Sequence, residues 1–321
     1  MRRLSALCRR LLLPGLAICF SLARADDTVT LVFAGDIMLA ETPGERIAQG
    51  VDPFAGVESV LKAADSTIAN LECVVATQGT PMEGKPFTFK ADPRVLPVLA
   101  KHFGTVSLAN NHTGDFGHAA FLAQLDLLRQ NHVRYFGGGK DCVEARRPCL
   151  LEVKGLRIAL LGYNSYHPRE FEAGPDWPGI AWAVPEQIEA DIKAAREVHH
   201  ADLVIPFMHW GLQYVPENEQ QRKLAHRMVK AGASVVVGSH PHVTQGVEYY
   251  KGRLIVYSLG NFVFNNFPEG PQRHGWLLRL RLGRQGLVDW DTIPYHIDDD
   301  GLPHLIKDAP GPSGDATRRT R

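Results

Sequence analysis

The sequence predicts an α/β protein built as a four-layer αββα sandwich, and two observations carry that expectation. Over much of the chain, short apolar or β-branched runs alternate with segments of helical spacing, which implies a parallel or mixed sheet with helices outside it. Towards the end the pattern becomes a run of β-hairpins, which supplies a second sheet.

Taken in order, Thr28–Ala34 is a buried first strand ending in Gly35-Asp36. Phe54–Ala64 has helical spacing, and Ser66–Asn70 is a short strand leading into Leu71-Glu72. Pro93–His102 is a helix, with Asp92 as its cap and Pro93 in its first turn. Thr105–Ala109 is a strand that runs into Asn110-Asn111-His112. Phe116–Gln130 is the clearest amphipathic helix, with Phe121, Leu125 and Leu128 at i, i+4 and i+7. Cys149–Val153 and Arg157–Gly162 flank Lys154-Gly155 as a hairpin. Helices follow at Pro185–His199 and Glu217–Lys230, and buried strands at Leu203–Phe207 and Ser234–Val237. Gly246–Tyr250, Arg253–Ser258, Gly275–Leu282 and Leu287–His296 complete the strands.

The two ends stand apart. Residues 1–25 read as a secretory signal peptide. Arg2, Arg3, Arg9 and Arg10 precede the apolar run Leu11–Leu22, and Ala23-Arg24-Ala25 is a cleavage site. That run is shorter than the roughly 20 residues needed to span a bilayer. Localisation is therefore expected to be exported, in the periplasm or cell envelope. Without the five arginines of this segment the chain has 30 basic against 35 acidic residues. Such a mildly acidic balance argues against general nucleic-acid binding, which calls for a basic face. Residues 26–308 form one domain, and the Pro/Gly/Ser-rich stretch 309–321 is expected to be a disordered tail. Three cysteines remain after cleavage, Cys73, Cys142 and Cys149. Export suggests a Cys142–Cys149 bridge with Cys73 free, the alternative being three unpaired thiols.

The chemistry lies in where the polar residues fall. Asp36, Asn70–Glu72, Asn110–His112, His209 and His240–His242 each follow a strand directly. Loops at the carboxyl ends of strands in an open α/β sheet converge on one crevice. One site would then receive Asp, Glu, Asn and up to four His, an inventory that suits zinc, manganese or iron. Taken singly, Gly35-Asp36 is also a good turn, Asn110–Asp115 a good capping loop, and His209 a plausible core histidine. His240-Pro241-His242 is the most specific element, since side chains at i and i+2 of a strand share a face. Cys73 either touches the same site or is a buried thiol. The aromatic segment Asp176–Trp182 is either a cleft wall or a packed surface loop.

These motifs resemble, in order and spacing, those of the capsule-synthesis CapA (poly-γ-glutamate synthesis) family. The matching segments are Phe33–Leu39, Asn70-Leu71-Glu72, Ala109–His112 with Asp115 and Gly117, His209-Trp210-Gly211, Val237–Val243 and Tyr257–Phe264. They cover roughly Val29 to Phe264. The resemblance implies the αββα sandwich of the calcineurin-like metallophosphoesterases and a link to capsule or poly-γ-glutamate production. By the looser similarity to metallophosphoesterases, Asp36, Glu72, Asn111, His209, His240 and His242 would hold one or two divalent metal ions (Mn, Zn or Fe). Glu72 would stand at the bridging position, and His112 would be the catalytic acid. Asn70, Asn110, Asp115 and Asn261 would support them. One departure stands out. The phosphoesterase pattern has a histidine where this chain has Met38, and a thioether is a poor ligand for such ions.

The expected function is therefore an exported metal-dependent hydrolase of phosphoester-type substrates in anionic-polymer biosynthesis, acting alone or with a membrane polymer-synthesis complex. The rival is a non-catalytic envelope module that binds or helps export an anionic polymer. Arginines and lysines near the mouth of the site are expected to recognise the anionic group.

Overall fold

The computed structural model describes residues 28–315. The signal-peptide reading lies outside the described residues, as does the last part of the tail. Two large sheets face each other. In the first, the strands run in the order Pro303–Leu305, Gly286–Ile297, His274–Gly283, Val29–Ile37, Ser66–Leu71, Thr105–Ser107, Arg134–Phe136. Asn261–Val263 adds to Val29–Ile37, and Ser313–Asp315 adds to Gly286–Ile297. The second sheet runs Val247–Tyr250, Arg253–Val256, Val235–Ser239, Leu203–His209, Leu156–Asn164, Cys149–Val153. Each has a parallel core; the second sheet is antiparallel at both margins, while the first is antiparallel on one side and ends in the parallel strand Arg134–Phe136 on the other.

The hairpins are thus shared between the sheets rather than forming the second by themselves. The Val247–Val256 hairpin extends one sheet and the His274–Ile297 hairpin the other.

Three apolar layers hold the four structural layers together. Leu31, Phe33 and Ile68 meet Ile158, Ile205, Phe207 and Val237 between the sheets. On the outer face of the first sheet, Val32, Ala69 and Val106 pack with Leu61, Leu99, Phe121, Leu125 and Leu128 from the helices. On the outer face of the second, Ala159, Val204 and Val236 pack with Ile188, Ile192, Ala225 and Met228. Residues of both parities along the central strands are therefore buried. That is why these strands read as continuous apolar runs instead of alternating.

Helix ends follow their chemistry. The Asp92 side chain accepts from the Arg94 amide, with Pro93 in the first turn. Asn218 and Gln221 form a reciprocal capping box at the start of Glu219–Ala231. Helix Glu41–Ala48 has Ala40 at its N-terminus with no side-chain cap, and this absence of a cap signal hides it in the sequence.

Two further expectations are corrected. All three remaining cysteines are free thiols, so Cys142 and Cys149 are not bridged. Nor is the tail free where it is described, because Ser313–Asp315 pairs with Asp289–Asp291. The glycines that suggested disorder permit this close approach. A Cβ on Gly311 would lie 2.2 Å from Thr292 Oγ1, and one on Gly314 2.8 Å from Trp290 Nε1. Among the described residues no helix is long and apolar enough to cross a membrane.

Candidate metal centre

The carboxyl ends of both parallel cores open on the same place. Asp36 and Asn70 are register partners on the first sheet, and His209 and Ser239 on the second. The opening strand reaches this point because position 35 has no side chain. A Cβ on Gly35 would sit 1.8 Å from the Gly260 carbonyl oxygen. The strand can therefore lie against the Gly260-Asn261 segment, and Asp36 is delivered to the crevice.

His240 and His242 arrive differently from the expectation. The strand stops at Ser239, and both histidines adopt positive φ, 96° and 57°. Left-handed backbone at non-glycine residues costs of order 1–3 kcal/mol each and persists where its surroundings fix it. Their rings nevertheless enter one crevice, with centroids 5.8 Å apart.

Six candidate ligand residues converge, all buried. Glu72, His209 and His240 form one group, and Asp36, Glu72 and His242 another, each with ligand atoms within 4.8 Å of one another. Glu72 belongs to both. His209 Nε2 lies 2.8 Å from Asn111 Oδ1, 3.1 Å from His240 Nδ1 and 3.6 Å from Glu72 Oε1. A single proton on that nitrogen cannot satisfy both neighbouring oxygens, and the His240 ring nitrogen adds a third polar neighbour.

Both Glu72 oxygens and His240 Nε2 are buried without any hydrogen-bond partner. An ionised carboxylate buried in this way is costly unless a cation or donor meets it. Burial raises the Glu72 pKa well above the ordinary range, and the Asp36 charge adds to the effect. Burial also raises Asp36, against the pull of His242 and the hydrogen bonds from Asn70 and the His240 amide. It pushes His209 and His240 well down and His242 down, so the imidazoles keep free lone pairs. A crevice rich in lone pairs and short of positive charge fits divalent metal.

The remaining predicted residues surround this set. Asn70 Nδ2 donates to Asp36 Oδ1 at 2.8 Å, and Asn110 Nδ2 donates to Asn70 Oδ1 at 3.0 Å and the Leu71 carbonyl at 2.8 Å. Asn110 Oδ1 accepts from the His112 amide at 3.0 Å. The two asparagines thus lock the three loops of the first sheet together. Asn261 Oδ1 is 2.7 Å from His242 Nδ1, while its Nδ2 donates to the Gln272 carbonyl. Asp115 Oδ2 is 2.8 Å from His112 Nδ1 and also accepts from the Phe89 amide. A carboxylate there favours the proton on Nδ1 and leaves His112 Nε2, 4.0 Å from Glu72 Oε1, for the crevice. Burial lowers the His112 pKa, and Asp115 opposes the shift.

Lys85 had no signal in the sequence, since it sits in a Gly/Pro-rich loop far from any motif. Its Nζ donates to the Asn111 carbonyl at 2.5 Å and pairs with Asp115. Tyr166 was equally unmarked, and its ring lies 3.8 Å from that of His240.

Three secondary expectations resolve. Met38 is fully buried, and its sulfur accepts from the Ala40 amide at 3.2 Å, so it closes a local turn in the outer core. Cys73 is also part of that core, where burial pushes its thiol up to about 12. Segment 176–182 is a packed surface loop, Gly179-Ile180 pairing with Gly138-Gly139.

The mouth is a two-lobed cleft. A lobe of about 830 Å³ lies between Met82–Phe87 and Tyr166–Glu170, and one of about 570 Å³ between Tyr214 and Phe264–Pro268. They share Phe87, His112 and Gln213. Among the described residues the expected basic rim does not line these lobes. Lys85 is the lining cation in these lobes among the described residues, and it is turned to Asp115, whereas Glu41, Glu83 and Glu170 also line them.

Comparison with known proteins bears on the fold and the family. A phosphatase structure from Mycoplasma pneumoniae superposes with a TM-score of 0.55 at 14% identity, over 85% of this chain and 95% of that one. A 5'-nucleotidase precursor from Thermus thermophilus superposes with a TM-score of 0.51 at 15% identity. That match covers 86% of this chain and only 56% of the nucleotidase. The fold is that of the calcineurin-like phosphoesterases. Residues 30–266 match the family described as bacterial capsule synthesis protein PGA_cap. The PGA biosynthesis protein CapA of Bacillus subtilis is 31% identical over 298 residues, 89% of this chain and 76% of the relative. The chain belongs to the PGA_cap family.

Proposed function

We propose that this protein is a divalent-metal-dependent hydrolase of phosphoester-type substrates, exported to the cell envelope, that serves the biosynthesis of a capsule or poly-γ-glutamate polymer. The observation that carries the catalytic part is the pair of buried ligand groups sharing the unpartnered carboxylate of Glu72. The role in polymer biosynthesis is supported by the similarity to the B. subtilis CapA protein.

Asp36, Glu72 and His242 would hold one ion, and Glu72, Asn111, His209 and His240 the other. The ions would be of the Mn, Zn or Fe class. When bound, such ions lower the pKa of water towards ~7 and offset charge on the attacked group. Everything else falls to side chains of the chain itself. Asp115 fixes the His112 ring so that Nε2 faces the cleft and favours the imidazolium, which would give its Nε2 proton to a departing oxygen and keep the one on Nδ1. Lys85 holds the loop through the Asn111 carbonyl and Asp115. Phe87, Tyr214 and Phe267 offer apolar wall to the non-reacting part of the substrate.

The lining bears on the rival reading. A groove that binds a polyanion along its length needs cations along that length, and this cleft presents acids and aromatic rings. A phosphoester held chiefly by metal suits it better. The Met38 departure, which removes one ligand, is the point in the rival's favour.

The test is hydrolysis of p-nitrophenyl phosphate and bis-p-nitrophenyl phosphate by the chain loaded with Mn²⁺ or Zn²⁺. We expect turnover that disappears in Asp36→Ala and in His240→Ala, each variant also holding about one equivalent of metal fewer. Stoichiometric metal with no turnover of either ester, or unchanged metal content in both variants, would contradict the proposal.

A further inference from the structure

A second cluster of ligand-type side chains lies outside the crevice, at one end of the first sheet. His274 and His296 are direct cross-strand partners in the antiparallel pair His274–Gly283 and Gly286–Ile297. Opposed residues of such a pair project on the same face. Their rings meet edge to face with centroids 5.1 Å apart. Glu269 reaches them from the preceding loop, with both carboxylate oxygens 3.3 Å from His296 Nε2. One ligand atom from each of the three lies within 4.8 Å of the others.

The orientation of the His274 ring also suits a ligand. Its Nδ1 lies 3.0 Å from the Gly270 carbonyl, which can only accept. This contact selects the tautomer of the neutral ring with its proton on Nδ1 and its lone pair on Nε2. Metal-bound histidines are oriented by this kind of backbone contact. Arg273 stands 3.7 Å from Glu269 but is engaged by Asp299 and by the Phe267 carbonyl. The row continues in register to His304, whose Nε2 is held by Asp298 at 2.7 Å and so stands outside the set.

We propose that Glu269, His274 and His296 form a further metal site of the zinc class, which clips the loop 264–273 onto the sheet. Two imidazoles and one carboxylate are a recurrent zinc donor set that leaves a fourth position for water. The placement gives the ion a consequence. Phe264, Asn265, Asn266, Phe267, Pro268 and Gln272 form a wall of the smaller cleft lobe. An ion joining Glu269 to two strand residues fixes that wall from behind. The inference is independent of catalysis in the buried centre.

The experiment is a calorimetric titration with Zn²⁺ of the purified chain carrying no histidine tag, alongside a His274→Ala/His296→Ala variant and Glu269→Gln. Hydrogen exchange of residues 264–273 is followed in the same samples. The double variant is expected to bind one equivalent fewer, with an unchanged melting temperature without metal, and Glu269→Gln to bind that equivalent more weakly. Zinc is expected to slow exchange of the loop in the unaltered chain and not in the double variant. His240→Ala, which strikes the buried centre, is expected to keep this equivalent, so the two sites fail separately. Equal zinc stoichiometry in the unaltered chain and the double variant would overturn the proposal, as would loop exchange indifferent to zinc.

Discussion

At the scale of single residues, environment decides what each group can do. His112 is an ordinary imidazole made specific by Asp115 behind it and the crevice in front of it. In the proposed role of general acid such a group would contribute about 10²–10⁴-fold. We expect His112→Ala to lower kcat by that order with bound metal retained, measured on a phosphoester substrate. Asp115→Asn should lower kcat less, because it frees the ring without removing it. Cys73 makes the opposite case. It directly follows Glu72, yet it is fully buried in the outer core with its pKa pushed up to about 12 by burial. Only the thiolate reacts, so Cys73 should stay unlabelled by iodoacetamide at pH 8 in the native chain and label on denaturation. Mass spectrometry of the labelled peptides checks this, and native labelling of Cys73 would show that the core around it opens.

At the scale of elements, loops and helix ends are held by a few polar contacts that the sequence hardly announces. Asp52 is one. Its carboxylate accepts from the Phe54 amide at 3.1 Å, contacts His102 Nε2 at 2.8 Å and accepts from Lys101 at 3.0 Å, tying a turn to the end of helix Leu96–His102. Burial pushes its pKa up, but the bonds from His102, Lys101 and Phe54 together outweigh burial and leave it below the usual value. A carboxylate lowered by folding contributes stability above its unfolded pKa, near 3.8 here, and loses it as pH falls through the lower folded value. Asp52→Asn should therefore cost about 1 kcal/mol at pH 7. Thermal melts of the two chains should converge as pH falls below the ordinary carboxylate range. The opening strand depends instead on close approach. Gly35→Ala sets a methyl 1.8 Å from a backbone oxygen, and it should destabilise the fold by several kcal/mol, on the order of ~3 or more, as read by denaturant titration.

Which elements could be read in advance follows from the same physics. The central strands and the Gly117–Gln130 and Glu219–Ala231 helices were legible because burial on both faces, or on one stripe, is written in their side chains. The uncapped Glu41–Ala48 helix and the short Cys142–Arg146 helix left little trace. Partner choice was not legible either. Nothing local tells the His274–Ile297 hairpin to join the first sheet and the Val247–Val256 hairpin the second. The predicted ligand set was found assembled because each member lies at or just past the carboxyl end of a strand, and strand ends converge. Lys85 and Tyr166 were missed because loops deliver them from afar. The expectation of a basic rim failed for a related reason, since composition does not say where arginines and lysines are placed.

At the scale of the molecule, two sheets bring complementary halves of one centre together. The first contributes Asp36, Glu72 and Asn111, and the second His209, His240 and His242. Neither half closes a ligand group alone, so the inter-sheet core sets the geometry of the site. Phe262 shows how the outer core supports it. This fully buried ring touches Phe54, Phe103 and Tyr295 beside Asn261, and the Tyr295 hydroxyl donates to the Asn261 carbonyl. Phe262→Ala should cost about 3–5 kcal/mol, measured by denaturant unfolding, and loosen metal binding through the displaced Asn261–His242 contact.

The central claim is that one buried carboxylate serves two ions. The direct measurement is metal content by elemental analysis, on the His274→Ala/His296→Ala background so that only the buried centre is counted. We expect about two equivalents of Mn, Zn or Fe in that chain, one after His242→Ala, and the loss of both after Glu72→Gln. A Glu72→Gln chain that still holds two equivalents, or a parent that takes up none when titrated with Mn²⁺ or Zn²⁺, would contradict the account.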